Sequence, residues 1–105
     1  MNNYIDDLKL NRKENLYLIS CDIGKNEAIE IAKALKSNNT LHTLDLSANE
    51  IGTEGAIEIA KSLITNDTLR TLDLHNNDIN IDGAIEIAKS LIKNNTLCTL
   101  YLDEN

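Results

Sequence analysis

Residues 41–68 and 69–96 can be laid over one another without a gap, and 19 of the 28 positions are identical. So dense a match between adjacent segments is an internal repeat of 28 residues, the length of a supersecondary unit that must stack on copies of itself to bury its apolar side. One period earlier, residues 13–40 keep Leu16, Leu18, Ile23, Ala28, Ile31, Ala32, Leu35, Asn38 and Thr40 in phase. One period later, Leu97, Leu100, Leu102 and Asn105 open a partial unit over residues 97–105. The chain therefore reads as a repeat domain over 13–105, with units 13–40, 41–68, 69–96 and partial 97–105. Residues 1–12 lie outside the period; Tyr4, Ile5 and Leu8 fit one face of a short helix, and the segment is expected to act as an N-terminal cap.

Each unit has two halves of different periodicity. Around Leu44, Asp45 and Leu46 the apolar residues alternate, as in a short strand with one buried face. The same alternation predicts strands near Leu16–Leu18, Leu72–Leu74 and Leu100–Leu102. In the second half, Ala56, Ile59, Ala60 and Leu63 follow the spacing of one helical face, as do Ala84, Ile87, Ala88 and Leu91. Glu58 with Lys61 and Glu86 with Lys89 lie three apart on the solvated side, where such pairs add a few tenths of a kcal/mol. Gly24, Gly52 and Asn80 stand at the joint between the halves and are expected to take a left-handed backbone. Thr53 is the expected N-cap of the helix after Gly52.

The bulk properties fit one domain of 105 residues. Proline is absent and aromatics are 3 % of the residues, so the core must be built from Leu, Ile and Ala. A net charge of −7 lacks the clustered cations that displace counterions from phosphates, which argues against a nucleic-acid partner. No run approaches the ~20 apolar residues of a membrane span, and the start MNNYIDDLK does not have the order of a signal peptide. A cytoplasmic protein without a membrane association is expected, with Cys21 and Cys98 as free thiols. The Asn-x-Thr triplets at Asn38, Asn66 and Asn94 recur at the repeat period, so the repeat explains them better than glycosylation does.

The pattern LxxLxLxxNxIG followed by an amphipathic helix, at a 28-residue period, resembles the ribonuclease-inhibitor type of leucine-rich repeat. The resemblance implies an α/β fold: a curved leucine-rich-repeat solenoid with short parallel β-strands on the concave face and α-helices on the convex face. Asn49, Asn77 and Asn105, stacked one unit above another, are expected to form a structural ladder that satisfies backbone groups left unpaired as the chain leaves each strand. Cys21 stands in the first ladder position, where the family accepts Asn or Cys.

With the leucines turned inward, their neighbours face the concave side in columns 28 apart. The middle column reads Tyr17, Asp45, Asp73, Tyr101. Tyr is a frequent interface anchor, and two neighbouring aspartates invite a basic group on a partner. Together with His42, Arg70 and His75 at the margins, these are the candidate partner-binding residues. His42 and Cys98 lie two rungs apart with a cation between them, and His75 is in another column, so no metal site is expected. No nucleophile has a base in phase and no phosphate-binding loop exists, so neither catalysis nor a cofactor is expected. The expected function is a protein–protein interaction scaffold whose concave face meets a basic partner surface. The alternatives are a GTPase-activating-like or sensor fragment, or an inactive terminal piece of a longer leucine-rich-repeat receptor or effector. The final strand lacks a covering helix, which predicts either a fragment or self-association through that edge.

Overall fold

The computed structural model describes residues 3–105. A short helix, α1 (Tyr4–Lys9), is followed by β1 (Asn15–Tyr17), α2 (Lys25–Ser37), β2 (Thr43–Asp45), α3 (Gly52–Thr65), β3 (Thr71–Asp73), α4 (Ile81–Lys93) and β4 (Thr99–Tyr101). The strands form one parallel sheet in chain order. Every partner is the residue 28 positions away, as in Leu16↔Leu44, Leu44↔Leu72 and Leu72↔Leu100. The fold is an α/β solenoid. Strands sit about 4.8 Å apart while packed helices need about 8–10 Å, so the helix layer is the wider one and the strands take the inside of the curve.

The core is one contiguous cluster between the two layers. Leu41, Leu44, Leu46, Leu69, Leu72 and Leu74 enter it from the strand side, and Ile31, Leu35, Ile59, Leu63 and Ile87 from the helices. Burying one such side chain fully contributes about 1.5–3 kcal/mol. The helices pack closely because Gly55 and Gly83 face the preceding unit. A Cβ on Gly55 would stand 2.7 Å from Ile51 Cγ2 and 3.0 Å from Ala28 Cβ, and one on Gly83 would stand 2.6 Å from Ile79 Cγ2. At the other end, α1 lies on α2 with Leu8 in the core and with Tyr4 and Ile5 partly buried. Asn38 Nδ2 donates to Leu8 O at 2.8 Å, joining α1 to the first unit.

Several local features differ from the sequence reading. Each strand begins and ends one residue earlier than the leucine alternation suggests. The leucine after each of the first three strands keeps a ladder bond, as in Leu18 N–H to Asp45 O at 2.8 Å, but the chain is already turning. Gly24 and Asn80 are extended, with φ of −101° and −87°, and only Gly52 is left-handed, at 72°. The recurrent left-handed position lies earlier, at Ser20, Ala48, Asn76 and Glu104, the residue before each ladder position. Asp22 and Asp78 take a second left-handed turn just after it, whereas the middle unit postpones that turn to Gly52. Helix α3 starts at Gly52, one residue earlier within the period than α2 and α4.

The helix starts follow from these turns. Thr53 lies inside α3 and is not its cap; its Oγ1 instead accepts the N–H of Asn80 in the next unit at 3.0 Å. Asn80, released from the left-handed role, caps α4 by accepting from Asp82 N–H at 3.0 Å and Gly83 N–H at 3.4 Å. At α2 the carboxylate of Glu27 reaches back to Gly24 N–H at 3.0 Å.

Candidate binding face

Because successive strand residues point to opposite sides, Asn15 and Tyr17 and their equivalents are turned away from the core. The sheet register puts Tyr17, Asp45, Asp73 and Tyr101 side by side. Adjacent members are about 5 Å apart. Tyr17 is 63 % exposed and Tyr101 49 %, so both rings present a large amphipathic surface at the two ends of the row. Asp45 and Asp73 are half-buried between them.

The aspartates carry a structural duty that the sequence did not reveal. Asp45 Oδ1 accepts Ser47 N–H at 2.9 Å, and Asp73 Oδ1 accepts His75 N–H at 2.9 Å. This local bond stabilises the turn out of the strand, as short carboxylate side chains commonly do. One oxygen of each carboxylate is thereby held, and the charge remains at the surface of the row.

The marginal residues differ in their freedom. Arg70 is exposed and makes no ion pair among the described residues. His42 Nδ1 lies 4.0 Å from Glu14 Oε1, at the edge of ion-pairing range. His75 is engaged: its Nδ1 meets Asp103 Oδ2 at 2.8 Å, and its Nε2 lies 3.7 Å from Glu104 Oε1. His75, Asp103 and Glu104 thus bring ligand-type atoms within 4.8 Å of one another, a donor set compatible with a divalent cation. The strand columns set His75 apart from His42 and Cys98 and beside Asp103. Glu104 was not foreseen as a third member because it lies in the left-handed turn, φ 58°, outside the alternating strand pattern.

Behind the face runs the asparagine ladder. Asn49 Oδ1 accepts the N–H groups of Cys21 and Ile23 at 2.9 and 3.0 Å, and its Nδ2 donates to Leu18 O and Leu46 O at 2.9 and 2.8 Å. Asn77 bonds Ile51 N–H and Leu46 O, and Asn105 bonds Asn77 N–H, Ile79 N–H and Leu74 O. Each asparagine reaches back into the preceding unit. Cys21, in the first unit, has an exposed side chain whose Sγ donates, among the described residues, to Ile19 O alone, at 3.4 Å. Cys98 is likewise an exposed free thiol.

A second ladder was not foreseen. Asn38 and Asn66 are buried, and Asn66 Nδ2 donates to Leu35 O and Asn38 O while its Oδ1 accepts Thr68 N–H and Leu69 N–H. Asn94 repeats the arrangement one unit on. The Asn-x-Thr triplets are thus end caps of the helices, tying each unit to its predecessor.

A family model described as a leucine rich repeat matches residues 37–60 and 65–88. Two segments, 48 of the 105 residues, are thus similar to leucine-rich repeats. Among solved structures, the leucine-rich repeat fold is shared with a chain titled "Leiomodin-1 Actin-Binding Site 2 (ABS2)", at 25 % identity and a TM-score of 0.78. The match covers 93 % of this chain and 76 % of that one. No curated protein sequence gives a significant match.

The helix side of the solenoid carries different features. A groove of about 170 Å³ between α3 and α4 is lined by Ala60, Ile64, Lys61, Glu86, Lys89, Ser90 and Lys93. Lys25 Nζ bonds Glu54 Oε2 at 2.8 Å across α2 and α3, and this ammonium holds the Glu54 carboxyl below its ordinary range. Burial raises the Tyr4 phenol above its usual value. Among the described residues, no helix is long and apolar enough to cross a membrane.

Proposed function

We propose that this chain is a protein-binding module of the ribonuclease-inhibitor type that engages a basic partner surface through its concave strand face, without catalysis of its own. The carrying observation is the row Tyr17, Asp45, Asp73, Tyr101, which sets two carboxylates between two exposed aromatic rings on a rigid sheet. A lysine or arginine on the partner would relieve the like-charge neighbours, and an arginine would also lie flat on a tyrosine ring. Arg70 and His42 at the margin would select against excess positive charge there. The similarity to an actin-binding site supports a protein partner and makes actin a reasonable first candidate. The exposed free thiols Cys21 and Cys98 fit a reducing, cytoplasmic setting.

Conservative substitution separates the charge from the turn bond. Asp45→Asn and Asp73→Asn keep an Oδ1 acceptor for Ser47 N–H and His75 N–H while removing the negative charge. Titration of the 105-residue chain with a tetra-arginine peptide, followed residue by residue by NMR, should move signals along the Tyr17–Tyr101 row. The double Asn variant should weaken binding about tenfold, and raising salt should weaken it in the unsubstituted protein. Shifts elsewhere on the molecule, or affinity indifferent to both the substitutions and salt, would refute this reading. Co-sedimentation with filamentous actin tests the specific candidate separately.

A further inference from the structure

The helix layer carries a column of lysines, Lys33, Lys61 and Lys89, and each is held by the glutamate three residues before it. Lys93 departs from this pattern. It lies in the last turn of α4 at an exposed position, and among the described residues its ammonium makes no ion pair. It stands on the rim of the groove between α3 and α4, together with Lys61 and Lys89, above a floor of Ala60 and Ile64. Shifting the lining residues back by one period gives the corresponding positions between α2 and α3. Five of the seven residue types are unchanged there, but Ile64 becomes Lys36 and Lys93 becomes Thr65. The α3–α4 pair thus sets an apolar floor beside an unpaired ammonium, whereas between α2 and α3 the floor position is itself a lysine. Ile64 stays 44 % exposed although α4 packs beside α3.

We propose that this groove is a docking site for an acidic segment of a partner protein, which seats one aliphatic side chain on Ala60 and Ile64 and gives a carboxylate to Lys93. Its volume of about 170 Å³ is well below the roughly 300–1,000 Å³ of a small-molecule pocket, so it takes one side chain rather than a drug-sized or lipid ligand. Charge selects the rest of the occupant. Three ammonium groups, of Lys61, Lys89 and Lys93, stand against two carboxylates, of Glu58 and Glu86, so the groove is locally cationic on a chain of net charge −7. An ammonium has three donors, so Lys61 and Lys89 can each take a further carboxylate oxygen while keeping their own glutamate. A nucleic acid fits less well, because the groove offers no aromatic ring for a base and the chain as a whole repels a polyanion. An acidic peptide carries the few charges that the lysines accept together with the alkyl group that the floor accepts. The groove lies on the helix layer, opposite the strand face, so this docking is independent of the concave-face reading.

Titration of the 105-residue chain with the peptide acetyl-Asp-Glu-Leu-Asp-Glu-amide, followed residue by residue by NMR up to about 5 mM, tests the proposal. Saturable shifts are expected at Ile64, Ser90 and Lys93, and salt should weaken the binding. Replacing the leucine of the peptide by glycine should weaken it about tenfold. Lys93→Thr, which copies the α2–α3 pair, and Ile64→Gln change exposed positions, so the fold should survive, as a cooperative circular-dichroism melt would confirm. Each should weaken binding of the leucine peptide about fivefold, and Ile64→Gln should leave the glycine peptide unaffected. Asp45→Asn and Asp73→Asn should change none of these affinities. Absence of saturable shifts, shifts confined to another surface, or indifference to both the peptide's leucine and Lys93 would overturn the proposal. Tighter binding of a single-stranded oligonucleotide than of the peptide, at the same residues, would overturn it in favour of a nucleic-acid site.

Discussion

Replacing Asn49 by alanine should cost far more than its position in a surface turn suggests. The side chain is 7 % exposed, and its Oδ1 accepts two backbone N–H groups of the first unit. Its Nδ2 has two hydrogens for three carbonyls, of Leu18, Leu46 and Ser47, so four full bonds is the fair count. At about 1 kcal/mol net per bond, the loss is about 4 kcal/mol, because alanine leaves the backbone partners buried and water reaches them poorly. A domain of this size is stable by about 5–15 kcal/mol, so the variant loses about a quarter or more of its margin. Cys21→Ala at the equivalent position removes one long contact from an exposed thiol and should cost less than about 0.5 kcal/mol. Urea unfolding followed by circular dichroism measures both. A loss below about 1 kcal/mol for Asn49→Ala, or equal losses for the two variants, would show that the ladder bonds do not hold the units together.

Further expectations follow from the packing and the turns. Leu72→Ala, at a fully buried site in the central strand, should lower stability by about 2–5 kcal/mol in the same assay. Ala48 holds φ 57°, where an L-residue is strained, so Ala48→Gly should raise the urea midpoint by up to about 1 kcal/mol equivalent; a loss would contradict the assigned backbone. Gly83→Ala should destabilise because its Cβ meets Ile79 Cγ2 at 2.6 Å, and a paired Ile79→Leu change, which leaves a single γ-carbon on Cβ, should recover part of the loss. The Glu54 carboxyl is depressed in the folded state, so its pair with Lys25 contributes above the unfolded value of 4.5 and fades as pH falls through the lower folded value. Unfolding of Glu54→Gln should therefore converge with that of the parent chain in acid; a gap that persists there would refute the linkage.

The period, the alternation of strand and helix, the register of 28 and the leucine–isoleucine core were all legible in the chain. Hydrophobic burial is non-directional and adds up over many residues, so a repeated apolar pattern admits few arrangements. The row Tyr17, Asp45, Asp73, Tyr101 was legible for the same reason, since strand alternation fixes which residues share a face. Polar roles were not legible to that degree. Asn38, Asn66 and Asn94 looked like incidental repeats of a triplet until their amides were seen to reach backbone carbonyls one unit away. Asn80 turned out to cap a helix rather than bend a turn, and Thr53 serves the neighbouring unit rather than its own helix. A hydrogen bond depends on angle and on competing donors and acceptors nearby, and these exist only once units are stacked. The sequence by itself determined the repeating architecture and the residues turned toward the strand face. The tertiary structure alone decided which polar atoms on that face are engaged, as with Asp45, Asp73 and His75, because that depends on what the turns and the neighbouring unit supply.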